Sequence, residues 1–174
     1  LQIVDVSTPS MPSIAGSYNP GFMPSNLAAA PDRVYLCGHS GRFEILDVSS
    51  PASPQLLSLM DLSQASDFVA VDGEFAYVGD AYNLDVVDVS DGSSPKLRGG
   101  FALPEGGLAG LAVRDGYLYF AGSHQNQFAL QIAWAQCPDL TFVPEGAPAA
   151  SVPGLSAWPN PFNPWTTVSV QLPR

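Results

Sequence analysis

Residues Leu84–Leu97 read LDVVDVSDGSSPKL, and the same wording returns along the chain. Leu1–Pro12 is LQIVDVSTPSMP and Phe43–Pro54 is FEILDVSSPASP. Leu130–Pro138, LQIAWAQCP, is a degraded fourth copy. Each copy opens with the alternation of a β-strand and then breaks at Ser, Asp, Gly or Pro, whose side chains or restricted backbones close turns. In Leu1–Ser7, Gln2, Val4 and Val6 share one face, and Leu1, Ile3 and Asp5 the other. Both rows carry apolar residues, so both faces are expected to be covered. Ser13–Tyr18 follows as a shorter strand, and Asn19–Ser25 as a Gly/Pro loop.

A second pattern lies between the copies. Leu27–Ala30 and Val34–Gly38 are short strands joined by a turn at Pro31–Arg33. The same hairpin recurs as Phe68–Asp72 with Phe75–Gly79, and as Leu108–Arg114 with Tyr117–Gly122. Asp72-Gly73 and Asp115-Gly116 mark tight turns, because glycine tolerates the positive φ that such turns demand. Tyr35, Tyr77 and Tyr119 hold equivalent places, as do Gly38, Gly79 and Gly122. From Leu1 to Phe43 is 42 positions, from Phe43 to Leu84 is 41, and from Leu84 to Leu130 is 46, with an insertion at Ser123–Gln127. A unit of about 40–45 residues with four short strands is the signature of a β-propeller blade.

The fold class expected is therefore all-β and propeller-type. The chain opens on the outer half of a blade. Two whole four-stranded blades follow, near Ser25–Asp61 and Ala65–Leu103. A last one, near Gly107–Ala135, is to be completed by Leu140–Val143 or left short. That makes about three and a half blades over residues 1–143. Residues 144–155 are a Pro/Ala-rich linker, and residues 156–174 carry an orphan strand, Trp165–Leu172. No stretch shows sustained helical periodicity, and Gly or Pro interrupts nearly every window. A start at Leu1, without Met and inside a repeat, fits a mature product or a fragment.

The net charge is −10, with only six Lys and Arg in 174 residues. Phosphate binding needs clustered basic side chains, so a nucleic-acid partner is not expected. No apolar run reaches the ~18–20 residues of a membrane-spanning helix, so neither is membrane insertion. Cys37 and Cys137 are too few for a disulfide framework, and Cys37, inside the apolar VYLCG strand, reads as a buried free thiol.

The LQIVDVSTPSMP, FEILDVSSPASP and LDVVDVSDGSSP copies resemble the LVIVD repeat, a propeller-type family of mainly secreted and surface proteins. The resemblance covers about Leu1–Cys137 and departs at the fourth copy, where Trp134 replaces the Asp. The tail Trp158–Pro173, WPNPFNPWTTVSVQLP, is similar to the start of the immunoglobulin-like C-terminal sorting domains of the type IX secretion system, through Asn160–Pro164. These resemblances imply secretion to the extracellular space or the outer cell surface. The sorting domain would be truncated, with only its first strand present.

Sites are sparse. Asp5, Asp47 and Asp88 suggest a cation site, but a carboxylate repeated in every copy is better explained as an acceptor for turn amides and the Ser two residues on. His39, Asp80 and His124 all follow the second strand of a unit and are expected on one rim, where ligand-binding loops gather. They are the ligand-binding candidates. No metal ligation is assigned, since HxH and HxxxH pairs are absent, and no cofactor is expected. There is no G-x-S-x-G elbow, and no catalytic residue is assigned. Tyr82, Trp134, Trp158, Phe162 and Trp165 are either stacking platforms for carbohydrate or packing anchors. The function expected is a non-enzymatic binding or scaffold module that recognises a protein or glycan at the cell surface. Self-assembly through exposed edge strands is the alternative, and a surface hydrolase the third reading.

Overall fold

The computed structural model describes residues 1–62, 64–102, 108–124, 127–134, 155–159 and 165–170. The chain forms two compact units, Leu1–Ala102 and Leu103–Arg174. Among the described residues every regular element is a strand, and the strands pair antiparallel.

The first unit holds three sheets. β1 (Gln2–Asp5) pairs with β2 (Ser13–Ser17). β3 (Asn26–Ala30), β4 (Arg33–Cys37), β5 (Arg42–Asp47) and β6 (Gln55–Asp61) form a four-stranded sheet in chain order. β7 (Phe68–Asp72), β8 (Phe75–Gly79), β9 (Asn83–Asp88) and β10 (Lys96–Ala102) form another. These are the two four-stranded units read from the repeat. The β7–β8 turn is Gly73-Glu74, with Gly73 at φ +57°, between the two strands as their sequence bounds predict. Gly38 and Gly79, expected to be equivalent, are not: by register Gly79 matches Cys37 and Gly38 matches Asp80, and each is a glycine for lack of room at its own place. A Cβ on Gly79 would stand 2.1 Å from the Asn83 carbonyl oxygen, and one on Gly38 2.6 Å from that of Met23.

Sheets pack through alternating faces. Tyr35, Phe43 and Ile45 of one sheet meet Val69, Val78, Val87 and Val89 of the next in a single buried cluster. The rings of Tyr35 and Phe43 stack at 6.2 Å. On the opposite face of β4 and β5, Val34, Leu36 and Leu46 are covered by Leu1 and Tyr18. Each fully buried aliphatic side chain contributes about 1.5–3 kcal/mol. Polar ties cross between the same sheets. Arg33 Nη1 donates to the Val89 carbonyl at 2.7 Å, and Ser58 Oγ to that of Gly92 at 2.7 Å. The β1–β2 sheet departs from expectation: Leu1 and Ile3 are half-buried, but Gln2, Val4 and Val6 are exposed. Only the face turned to β4 and β5 is covered.

Each repeat turns its corner in the same way. Asp5 Oδ1 accepts the Ser7 amide at 2.8 Å, Asp47 Oδ1 that of Ser49 at 2.8 Å, and Asp88 Oδ1 that of Ser90 at 3.0 Å. Hydrogen bonds from these serines hold all three carboxyls below the ordinary carboxylate range. A β-bulge also recurs. Between Ile3 and Val4, Ile45 and Leu46, and Val86 and Val87, the partner strand carries one extra residue, at Ala15, Leu57 and Arg98 respectively. Arg98 uses that position to reach back, its Nε 3.1 Å from Asp88 Oδ2.

Among the described residues the second unit is one five-stranded sheet. β11 (Leu108–Arg114), β12 (Tyr117–His124) and β13 (Gln127–Trp134) run in chain order, and then come β15 (Trp165–Val170) and β14 (Leu155–Pro159). The β11–β12 turn places both Asp115 (φ 53°) and Gly116 (φ 77°) in the left-handed region, as a two-residue hairpin requires. The insertion lengthens the β12–β13 pairing out to His124 and Gln127. The strand expected to be an orphan is paired: Ala133 faces Trp165 and Leu130 faces Val168. The outer edge of β13 needs hydrogen-bond partners, and this distant strand supplies them. Leu140–Val143, Cys137, Asn160–Pro164 and the linker up to residue 154 lie outside the described residues.

Three outcomes follow from this packing. Val87→Asp buries an unpaired carboxylate at a fully buried site, and a loss of roughly 3–5 kcal/mol is expected, read as a melting transition lowered by more than 10 °C. Cys37 is fully buried, and burial pushes its thiol up to about 11, so a thiol reagent should label it only after denaturant unfolds the chain. Asp47→Ala should melt below the parent at pH 7. Because the folded carboxyl titrates lower than the unfolded one, the parent's advantage is complete above about pH 4 and should disappear as pH falls through the lowered value.

Candidate functional site

The residues joining the second strand of each four-stranded sheet to the third are built alike. Gly38 N donates to the Arg42 carbonyl at 3.2 Å, and Asp80 N donates to that of Asn83 at 3.0 Å. The segments entering the inner strands brace these turns from the side. Ser25 N donates to the Cys37 carbonyl, Ser66 N to that of Gly38 and Asp67 N to that of Gly79. Turns and entries of both sheets thus lie at one end of the first unit.

His39 rides on the first of these turns with its ring largely exposed. Its Nδ1 stands 2.7 Å from Asp67 Oδ1, an ion-pair contact that does not have the direction of a hydrogen bond. Asp80 belongs to the second turn. Its Oδ1 accepts the amides of Tyr82 at 2.8 Å and Asn83 at 2.7 Å. Asn83 Nδ2 in turn donates to Gln64 Oε1 at 3.0 Å. The structure therefore brings His39 and Asp80 to the same rim, His39 through Asp67 and Asp80 through Asn83 and Gln64. His124 ends β12 in the second unit, and its side chain lies outside the described residues. The same holds for the side chains of Trp134, Trp158, Phe162 and Trp165, while Tyr82 is exposed beside Asp80.

Three of the rim's side chains are absent from the sequence-based candidates: Asp67, Gln64 and Ser66. The signal was present for Asp67. Ser25 and Asp67 stand at equivalent places, each donating its amide to the last residue of the second strand, and Ser66 precedes Asp67 as Pro24 precedes Ser25. Their repetition marks them as structural braces, and only the contact with His39 sets Asp67 apart.

The chemistry available is recognition by hydrogen bonding. Two hydroxyls here are already committed: Ser25 Oγ donates to the Ser66 carbonyl at 2.6 Å, and Ser66 Oγ to that of Gln64 at 3.4 Å. Neither stands as an activated nucleophile beside His39. Among the described residues no group of three or more His, Cys, Asp or Glu is placed to hold a metal ion. Asp5, Asp47 and Asp88 sit at separate corners, each bonded to its own serine amide, and do not converge.

Comparison with known proteins adds one positive result. No curated protein matches the chain. The model of the LVIVD repeat matches residues 1–20, 32–61 and 64–102, just over half of the chain. Those segments carry the Asp–Ser corner, the bulge and the alternating faces described above. The chain belongs to the LVIVD repeat family.

Proposed function

We propose that this protein is a secreted or cell-surface, non-enzymatic binding or scaffold module, its sheets serving as blades of a β-propeller-type repeat. The observation that carries the reading is the rim of the first unit. There the exposed His39 and Tyr82 project from turns held in place by hydrogen bonds to the backbone and by the Asp67 and Asn83 side chains. A rigid scaffold that presents exposed side chains on braced turns is suited to recognition. An exposed aromatic ring beside polar donors and acceptors suits a glycan or a polar protein surface. Against a hydrolase stands the commitment of Ser25 and Ser66 to carbonyl oxygens.

Export rests on the family and on the tail. The LVIVD resemblance supports a secreted or surface location, and the likeness of the Trp158–Pro173 stretch to the start of a type IX sorting domain supports the same route.

The test is a glycan array and a cell-surface protein capture with the purified chain, parent against variants. His39→Ala and Tyr82→Ala should each weaken binding about tenfold, equivalent to ~1.4 kcal/mol, with the melting temperature unchanged. Binding untouched by both substitutions would place the recognition surface elsewhere. Turnover of an ester or glycoside substrate that is lost in His39→Ala would replace this reading with the hydrolase.

A further inference from the structure

The second residue of each copy of the repeated strand is polar: Gln2, Glu44, Asp85 and Gln131. In β5 and β9 it lies on the face turned to the preceding sheet, the face of Leu46 and Val87. The repeat shows how a carboxylate can be accommodated there. Glu44 is buried and meets Tyr18 as a hydrogen-bond partner. Tyr18 pairs with Leu1 as Met60 pairs with Phe43, so for Asp85 the place of that tyrosine is taken by Met60. A thioether has no proton to donate.

Asp85 is half-buried, between Val78 and Gly100 of the flanking strands. Its carboxyl lies over Gly100, where a Cβ would collide with Oδ1. Among the described residues no donor reaches it. Its neighbour is a second carboxylate, Asp80, at the start of the rim turn. Asp80 Oδ1 is occupied by the amides of Tyr82 and Asn83. The charged groups on the neighbouring elements are matched among themselves: Arg42 with Asp61 at 3.7 Å, His39 with Asp67 at 2.7 Å, and Arg98 Nε with Asp88 at 3.1 Å. Among the described residues Asp80 alone acts electrostatically on Asp85. Burial first, and then the Asp80 charge, push the Asp85 carboxyl above the ordinary carboxylate range.

We propose that Asp80 and Asp85 form a proton-taking pair at the foot of the second rim turn, and that the turn carrying Tyr82 is held more firmly in mild acid than at neutral pH. When Asp85 is charged, its repulsion of Asp80 works against the turn whose amides Asp80 gathers. A proton taken from solvent removes that repulsion and makes the Asp85 carboxyl a donor. The folded carboxyl titrates higher than the unfolded one. The stability it confers is therefore complete below about pH 4 and is lost as pH rises through the raised value. The corner aspartates have the opposite sign, so parent and variant are compared at equal pH. The inference adds regulation to the rim of the proposed function, but it is read without a ligand and so is tested separately from that reading.

Carbon-13 NMR of the carboxyl groups from pH 3 to pH 8 should show Asp85 titrating at a higher pH than Asp5, Asp47 and Asp88. Asp85→Asn should melt about 2 °C or more above the parent at pH 7.5 and level with it at pH 4. Asp80→Asn keeps the oxygen that the Tyr82 and Asn83 amides need, and should raise the melting temperature at pH 7.5 by less. Protection of those two amides against hydrogen exchange, corrected for its intrinsic pH dependence, should rise in the parent from pH 7.5 to pH 5 and stay level in Asp85→Asn. An Asp85 that titrates together with the corner aspartates would overturn the proposal. So would a melting gap of the same size at both pH values, since packing rather than charge would then be at work. Protection of the Tyr82 and Asn83 amides that ignores pH in the parent would overturn it as well.

Discussion

The burial of one sheet's alternating face against the next is the constraint on which the rest of this structure depends. A four-stranded sheet of short strands has two faces and cannot bury both by itself. In each repeat the strand that leads into the Asp–Ser corner points successive side chains to opposite sides, so Ile45 goes toward the following sheet and Leu46 toward the preceding one. Stability comes from adjacency: Leu46 and Val87 meet a neighbouring sheet and are fully buried, whereas Val4 is 47% exposed.

The small polar devices serve that packing. The Asp–Ser corner lets the third strand stop at a fixed point, and the bulge then bends the fourth strand. Both must recur in register if sheets of the same shape are to stack. They do so at Asp5, Asp47 and Asp88, and at Ala15, Leu57 and Arg98. The Arg33 and Ser58 bonds to the next sheet's backbone fix the stagger between layers, and apolar contact alone would leave that stagger loose. Gly38 and Gly79 answer to close packing at separate places, since a side chain would collide with the Met23 backbone at the first and the Asn83 backbone at the second.

The hairpins, the period, the equivalence of Tyr35 and Tyr77 and the two complete sheets were legible in the sequence, because each is written within about ten residues and then repeated. Turn chemistry at Gly73 and Asp115-Gly116 and strand alternation are local signals. The rim was only half legible. His39 and Asp80 could be assigned to one end because each follows a second strand. Asp67 could not be joined to His39, because that contact crosses from one sheet to the next. Covering also escaped the sequence: Val4 and Val87 look the same in the repeat, and only the presence of a neighbour distinguishes them.

The fourth copy shows what happens when a corner is lost. Asp5 to Ser13, Asp47 to Gln55 and Asp88 to Lys96 span the same interval, so a corner carboxylate and the start of the next strand come as a pair. At the equivalent position the fourth copy has Trp134, which cannot accept the amide of a following serine, and the residue two further on is Gln136. The sequence there no longer specifies an immediate return. The strand that pairs with β13 comes instead from Trp165 onward, and no bulge interrupts its register from Ala133–Trp165 to Leu130–Val168. An outer strand that its own corner does not hold in place can be supplied from a distance, and β14 then pairs along its far edge. The place of Trp165–Val170 in this sheet has a plain physical root: an alternating strand will pair with whatever antiparallel edge is left open to it.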